Sequence, residues 1–380
     1  MDNTEGGQTS RSNLHLNYTK YMSNDAYLKT NAYISSYYFQ LFSNFTFFLM
    51  DSIHGDQIKQ KEKRNTYGAN TEFHFKLSKS ASDLRFRLGV GLRYDDINDV
   101  ELFNTLQRKS TLQNLALGDI DESNLFSYGD VTFENGPIQI TTGIRADYFN
   151  FVYQDKLPSI YQLNSANTTK VSPKISLQYS FSNRYQLYTK FGKGFHSNDT
   201  RAITNGQISN TVPSAYGLDV GGLFKISKHL IFDVALWHLL LEQEFVYVGD
   251  AGIVEPSGQS QRQGLDLGIR FQPLPWLFIY TDINLANPIS VEDPEGQNYI
   301  PLAPTFTNTG GLSLNIGNHM TGGIRYRHMG DRAANEDKSI VAKGYTIVDM
   351  NLNYSLKSFT LGLEINNLLN QQWNETQFAT

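Results

Sequence analysis

Residues 84–94 read LRFRLGVGLRY, with an apolar side chain at every second position. Because side chains on a β-strand alternate between its two faces, this stretch predicts a strand with one apolar face. The other face carries Arg85, Arg87 and Arg93, a row that the dry core of a soluble protein does not accept. A transmembrane β-barrel accepts both faces, since lipid covers its outside and a polar lumen lies inside.

The same alternation recurs along the chain and predicts about sixteen strands that pair as hairpins. Every second connection is short, such as the turn at Asn135-Gly136, and the others are long, such as the predicted loops 42–64 and 95–122. Short turns on one side and long loops on the other are typical of outer-membrane barrels. The sequence therefore predicts an all-β, antiparallel transmembrane β-barrel with short periplasmic turns and long extracellular loops.

Composition excludes several classes of protein. The chain of 380 residues holds no apolar run of about eighteen residues, which excludes a helical membrane protein. It holds no Cys, which excludes a disulfide scaffold and thiolate metal sites. Its net charge of −5 gives no electrostatic support for nucleic-acid binding.

Three stretches resemble TonB-dependent outer-membrane receptors. Residues 361–373, LGLEINNLLNQQW, resemble the penultimate-strand signature of that family, an alternating apolar strand that ends in Asn-Leu-apolar-Asn and an aromatic residue. Residues 194–201, GFHSNDTR, and 263–268, QGLDLG, are similar to strand boundaries in the same receptors.

The resemblance implies a bacterial outer-membrane location and a barrel of about 22 strands around an N-terminal plug. Residues 1–380 are then expected to be a barrel segment that lacks the plug and the closing C-terminal strand. The first predicted strand ends in a short turn and the last ends in a long loop, which agrees with missing strands at both ends. Met1-Asp2-Asn3 does not begin a signal peptide, as an internal fragment would not.

In function, the resemblance implies ligand-gated import of an iron–siderophore or similar scarce, large solute. Its expected partners are the TonB-ExbB-ExbD system, reached through the plug, outer-membrane lipid, and a small-molecule or metal-chelate ligand. No cofactor is expected, and an isolated segment without a plug is expected not to transport through TonB. The alternatives are a porin-like passive channel and an outer-membrane barrel enzyme. The chain shows no Gly-x-Ser-x-Gly, phosphate-binding loop or His-Glu-x-x-His motif, so we predict no catalytic residues.

One group of candidate site residues lies on the polar faces of neighbouring strands and is predicted to line the lumen. These charged or titratable side chains either contact an anionic ligand or the plug, or form a cross-strand ion network along a hydrated lumen, which we favour. The group comprises Glu72, His74, Lys76, Arg85, Arg87, Arg93, Arg145 and Asp147. Apolar residues on the opposite faces are predicted to meet lipid: Phe73, Phe75, Phe86, Leu88, Val90, Leu265, Leu267, Leu361 and Leu363.

A second group is predicted at the extracellular mouth. His196, Asp199 and Arg201 stand where a strand leaves the membrane, where they contact a chelate or simply anchor the loop, and we favour anchoring. Their spacing fits no enclosed metal site, so no metal site is predicted. Phe45, Phe47 and Phe48 grip a ligand or, as we favour, pack within an aromatic girdle. The loop 247–255 is a further candidate for part of the binding surface.

Overall fold

A computed structural model describes residues 3–44, 47–48, 51–79, 82–196, 200–204, 211–248, 253–256 and 258–374. Sixteen strands form one antiparallel sheet in which nearly every strand pairs with its neighbours in the chain. The first and last of these strands stand at the two ends of the strand order. The prediction of about sixteen antiparallel strands is therefore confirmed.

The described residues form twenty strands and one helix, and four of the strands form two small hairpins outside the main sheet. The hairpin strands are β11 and β12 and, separately, β17 and β18. In chain order the elements are β1 Gly6–Tyr21, β2 Ala26–Ser43, β3 Ile58–Lys79, β4 Ser82–Leu106, β5 Ser110–Asn135, β6 Ile138–Asp155, β7 Gln162–Ser180, β8 Tyr185–Phe195, α1 Thr200–Thr204, β9 Ser214–Lys225, β10 Leu230–Leu241, β11 Phe245–Val248, β12 Ile253–Pro256, β13 Ser260–Leu274, β14 Leu277–Ser290, β15 Phe306–Ile316, β16 Met320–Met329, β17 Arg332–Ala333, β18 Val341–Ala342, β19 Tyr345–Leu356 and β20 Phe359–Ile365.

The strand register sorts polar and apolar residues onto opposite faces. Phe75 pairs with Phe86 and their rings stack 4.4 Å apart, while Phe73 pairs with Leu88. Leu88 and Val90 are 53% and 60% exposed, as side chains that point away from the protein should be. A shift of one residue would exchange the two faces, so the burial of one apolar row against lipid fixes this register.

Several predicted loops are strands instead. Residues 42–64 and 95–122 were expected to be mostly loop, but β3 begins at Ile58, β4 continues to Leu106 and β5 begins at Ser110. β7 likewise extends beyond its apolar stretch and begins at Gln162. In most of these stretches both faces carry polar residues, so the apolar alternation that predicts a strand is weak there.

Ion pairs join the extensions to one another, beside a buried apolar cluster of Ile97, Ile120 and Tyr153. The Nζ atoms of Lys59 and Lys61 lie 2.6 and 2.7 Å from the carboxylate oxygens of Glu101. Burial raises the pKa of Glu101, but the hydrogen bonds from both lysines outweigh it and leave the pKa below its ordinary value. A register shift beside Asp99, whose φ is 54°, marks a bulge just below this cluster.

Aromatic rings lie over glycines of the neighbouring strand at several places in the sheet. A Cβ at Gly89 would stand 2.3 Å from Cζ of Tyr128, so the Tyr128 ring occupies the space that a side chain would need. Such rings cover backbone that glycine would otherwise leave exposed. The other pairs are Gly68 with Tyr33, Gly221 with Tyr188, Gly264 with Trp237, and Gly310 with Tyr326.

The helix α1 is the one helix among the residues that the structure describes, and it is too short to cross a membrane. It lies in the connection between β8 and β9 and packs against β5, β6 and β7. Its Ile203 joins Val212, Phe149 and Phe151 in a buried cluster. The described parts of this connection, α1 and residues 211–213, therefore pack on the polar face of the sheet.

Candidate functional site

The predicted lumen-lining residues all lie on one face of β3 to β6. The register pairs His74 with Arg87 and Lys76 with Arg85 between β3 and β4, and β5 connects this row to Arg145 on β6. Cross-strand ion pairs join them to their neighbours: Arg87 Nε lies 2.9 Å from Asp130 Oδ2, and Arg85 Nη2 lies 2.8 Å from Glu134 Oε2. The face is therefore a continuous charged ladder.

A hydrogen-bonded network ties the lower part of this ladder together. Glu72 accepts hydrogen bonds from the hydroxyl of Tyr128 at 2.5 Å and pairs with Nε2 of His74 at 2.8 Å. The Tyr128 hydroxyl also receives a hydrogen bond from Asn70 Nδ2 at 3.2 Å, and the His74 ring stacks on Tyr27 at 4.5 Å. These contacts fix the side chains in place.

Two arginines of the ladder are clamped by a carboxylate two residues further along the same strand. Arg145 donates to Asp147 from Nε at 2.7 Å and from Nη2 at 2.6 Å, and its guanidinium lies 4.0 Å from the ring centre of Phe126. Arg93 donates to Asp95 in the same way, at 2.6 and 3.0 Å. Bidentate pairing with a carboxylate leaves each guanidinium little freedom to turn, so both arginines are preorganised.

An upper cleft of about 580 Å³ opens on this face where the membrane-spanning strands give way to their extensions. It brings together four of the predicted residues: Arg93, Arg145, Asp147 and His196. The remaining lining is made by Arg64, Asp95, Ile97, Ile120, Glu122, Asn124, Phe149, Phe195 and Thr200. Thr200, the first residue of α1, stands 3.5 Å from Glu122 Oε2.

The inward fold of the β8–β9 connection is secured by apolar packing. Phe151 and Val212 are fully buried, Ile203 is nearly so, and the ring of Phe195 meets that of Phe149 edge-on at 5.3 Å. Sequence reasoning missed this packing. The sequence of β6 does contain a sign of it. Phe149, Phe151 and Tyr153 follow Asp147 at alternate positions and so lie on the same face as Arg145. Large apolar side chains on an otherwise polar face indicate that another segment packs on them.

A lower cleft of about 560 Å³ lies along the same wall and shares Arg145 and Phe195 with the upper one. It contains Arg87 and Arg145 of the predicted set. The rest of its lining is Asn70, Phe126, Tyr128, Gly129, Asp130, Ile144, Ser172, Lys174, Lys193 and Gly194.

The predicted residues of the mouth do not all meet. His196 lines the upper cleft and its Nε2 lies 3.1 Å from the carbonyl of Gln243, while Arg201 lies in α1. Phe47 and Phe48 stand in an exposed turn between β2 and β3 and line neither cleft. Phe45 and Asp199 lie outside the described residues, as does part of 247–255. Within the described ranges, no group of three or more His, Asp and Glu side chains is placed to hold a metal ion.

The chain resembles known proteins in sequence pattern and in fold. Residues 1–368 match the family model described as TonB dependent receptor-like, beta-barrel. No curated protein sequence matches the chain. The ferric citrate transporter FecA superimposes with a TM-score of 0.80 at 12% identity, over 96% of this chain and 57% of that one.

Two further solved structures resemble the chain to a similar degree. The siderophore receptor PiuA from Acinetobacter baumannii gives a TM-score of 0.79 at 12% identity, over 99% of this chain and 62% of that one. The ferric yersiniabactin uptake receptor FyuA from Yersinia pestis gives 0.77 at 12% identity, over 99% and 59%. The chain thus spans about three fifths of the length of these structures. Proteins of the matched family are transporters rather than enzymes and reside in the outer membrane of Gram-negative bacteria. The sheet, its polar inner wall and the match over nearly the whole sequence place this chain in the family of TonB-dependent receptor β-barrels.

Proposed function

We propose that this barrel wall belongs to a receptor that imports a scarce, large solute across the outer membrane, most closely an iron–siderophore or similar metal chelate. The observation that carries the proposal is the pair of stacked clefts on one wall, lined by preorganised arginines and covered above by α1. The similar structures are described as a ferric citrate transporter, a siderophore receptor and a ferric yersiniabactin uptake receptor. These descriptions support a chelate as the solute.

The polar face is proposed to be the lumen. The β8–β9 connection packs on this face, as a loop folded into a barrel would. The opposite face presents rows of exposed leucine, isoleucine and valine that suit lipid contact. Glu72, His74, Lys76, Arg85, Arg87, Arg93, Arg145 and Asp147 then line the lumen, and the clefts open into it.

Import against a concentration gradient requires energy, which a binding wall alone does not supply. We propose that the TonB-ExbB-ExbD system supplies it, as the family membership suggests. The wall's part is to hold the solute by fixed donors such as Arg93 and Arg145 until the energised step moves it. Preorganised donors bind with little loss of conformational entropy on capture.

The test is uptake of radiolabelled iron by cells that lack their own siderophore receptors and express this protein from its own gene. Ferric citrate, a ferric catecholate and a neutral ferric hydroxamate are offered separately. We expect at least one chelate to accumulate only in cells with intact TonB. Accumulation of none of them, with the protein present in the outer membrane, contradicts the proposal.

A porin-like passive channel is the second candidate. One observation favours it: the inward-folded β8–β9 connection resembles in position a loop that narrows a pore. The same uptake assay separates the two, because a passive channel equalises concentrations equally well without TonB. We expect no such TonB-independent entry of the chelates.

A further inference from the structure

The two clefts differ in charge although they share a wall. The upper cleft is lined by Arg64, Arg93 and Arg145 and by three carboxylates, Asp95, Glu122 and Asp147, so its fixed charges balance. The lower cleft is lined by Arg87, Arg145, Lys174 and Lys193, and Asp130 is the one carboxylate among its described lining residues. Even when Asp147 behind Arg145 and Glu72 behind Tyr128 are counted, four cations face three anions. An anion that descends from the upper to the lower cleft therefore enters a more positive environment.

The cations of the lower cleft are held so that they can serve an incoming anion. Arg87 and Lys174 share a single carboxylate, with Arg87 Nε at 2.9 Å and Lys174 Nζ at 3.6 Å from Asp130 Oδ2. Lys193 Nζ lies 5.5 Å from the ring centre of Tyr216, a cation–π distance that leaves its ammonium hydrogens available to another acceptor. About half of the Lys174 side chain is exposed. The lower cleft is thus positive, accessible and only partly neutralised from within.

The next part of the wall carries charges of both signs. Asp219 on β9, Asp233 on β10 and Asp266 on β13 lie close enough to the Tyr188 hydroxyl to interact with it electrostatically. Lys190 pairs in register with Asp219, and Arg262 and Arg270 stand on β13 at positions that share a face with Asp266. The excess of positive charge is therefore a local property of the lower cleft rather than of the whole wall.

We propose that the lower cleft is a binding station for the carboxylate groups of a polyanionic solute on its way through the lumen. This inference rests on the proposed transport function and narrows its substrate class to polycarboxylate chelates. The solute leaves the balanced upper cleft, passes Arg145 and Phe195, which border both clefts, and binds between Lys174, Lys193 and Arg87. Arginine and lysine together offer both bidentate and point-charge contacts to carboxylates.

A small solute fits this station better than acidic side chains of a polypeptide. The volume of about 560 Å³ is that of a small-molecule pocket. The cleft also borders the upper one at Arg145 and Phe195, and the upper cleft reaches His196 and Thr200 at the end of β8 and the start of α1. If the lower cleft only bound a fixed segment of polypeptide, it would not need to border a second cleft through which a solute can reach it.

The experiment removes single positive charges while keeping side-chain length. Lys174→Gln and Lys193→Gln are compared with the wild-type receptor, and Lys29→Gln is the matched control. Lys29 pairs in register with Glu72, so it shares the polar face but lines neither cleft. Equilibrium dialysis with radiolabelled iron measures binding of ferric citrate, a polycarboxylate probe, and of a neutral ferric trihydroxamate of similar size. Heat-shift electrophoresis checks that every variant is folded.

We expect each cleft variant to weaken ferric citrate binding about tenfold, with a shallower salt dependence, and to leave any hydroxamate binding unchanged. Lys29→Gln should change ferric citrate binding less than about twofold. Equal losses for both probes, or no loss for ferric citrate, overturn the proposal. The proposal is also overturned if the variants bind ferric citrate as the wild type does but their polypeptide inside the lumen is cleaved faster by protease. That result would show that the two lysines contact polypeptide instead of solute.

The transport proposal can fail separately from this one. TonB-dependent uptake of the hydroxamate by a wild-type receptor that does not bind ferric citrate leaves the transport function standing and refutes the polycarboxylate station. Charge-dependent binding of ferric citrate without any TonB-dependent uptake supports the station as a site and refutes the transport function.

Discussion

Replacing Phe151 with alanine should release the β8–β9 connection from the wall while the sheet stays intact. Phe151 is fully buried, and its cluster with Phe149, Ile203 and Val212 is the apolar contact that holds this connection on the inner face. A buried phenylalanine removes roughly 150–250 Å² from water, worth roughly 4–6 kcal/mol at about 25 cal/mol per Å². Alanine retains part of that area, so we expect a loss of about 3 kcal/mol.

The same arithmetic gives the expected change in dynamics. Ile203 and Val212 contribute about 1.5–3 kcal/mol each to docking, so a loss of about 3 kcal/mol removes a large share of it. The undocked state should become about a hundredfold more populated, because each 1.4 kcal/mol is a factor of ten. Amide hydrogen exchange in residues 200–204 and 211–212 should accelerate by about that factor.

Hydrogen exchange in detergent micelles measures this directly, with Tyr148→Ala as the control. Tyr148 lies on the same strand but is 45% exposed, on the opposite face, and lines neither cleft. It should leave exchange in α1 unchanged. If exchange in residues 200–204 does not accelerate in Phe151→Ala, the apolar cluster does not hold the connection. If the whole sheet exchanges faster, Phe151 supports the sheet rather than the docking.

Three further predictions concern single contacts. Gly89→Val places a branched side chain where even a Cβ would stand 2.3 Å from Tyr128, so it should displace that ring from its hydrogen bonds with Asn70 and Glu72. The unfolding midpoint in heat-shift electrophoresis should fall. Gly217→Ala should leave the midpoint unchanged, because a Cβ at Gly217 would meet nothing within 4 Å. Asp147→Asn should destabilise the wall by about 1.5–3 kcal/mol, because it weakens the charge-assisted hydrogen bonds between the partly exposed Arg145 and a fully buried carboxylate; a midpoint equal to wild type would contradict this. Lys59 and Lys61 lower the pKa of Glu101 in the folded state, so the stability that these ion pairs add is present above the ordinary pKa of 4.5 and is lost as the pH falls below it. Amide hydrogen exchange in the β3–β4 extension should therefore accelerate in acid. Glu101→Gln should remove this pH dependence.

The membrane-spanning part of the wall could be predicted from the sequence because lipid imposes a strict rule there. Leu84, Phe86, Leu88, Val90 and Leu92 alternate because one face of β4 must be apolar over the whole thickness of the membrane. The register followed from that rule, and with it the shared face of Arg85, Arg87, Glu72 and Lys76.

The strand extensions and the clefts were harder to predict from the sequence, because contact with water does not require one face of a strand to be apolar. Lys59, Lys61 and Glu101 read as loop, although their mutual pairing builds strands. Glu122 and Asn124 line the upper cleft and Lys174 lines the lower one. Each reaches its cleft through the pairing of strands that are distant in sequence. The inward fold of α1 depends on a few apolar contacts that no local pattern reveals.

The rings that lie over glycines have a consequence for how this sequence can drift over evolutionary time. A glycine such as Gly89 or Gly264 cannot be replaced by a larger residue while the ring of Tyr128 or Trp237 occupies the space next to its Cα. Conversely, once the glycine has been replaced, the aromatic ring no longer fits against that strand. The two positions therefore change as a pair or through an unstable intermediate. Most other positions of the wall need only keep their polarity, which permits homologous barrels to share a fold at 12% identity. Covariation between these paired positions, rather than invariance at either one, is the trace that such a constraint should leave.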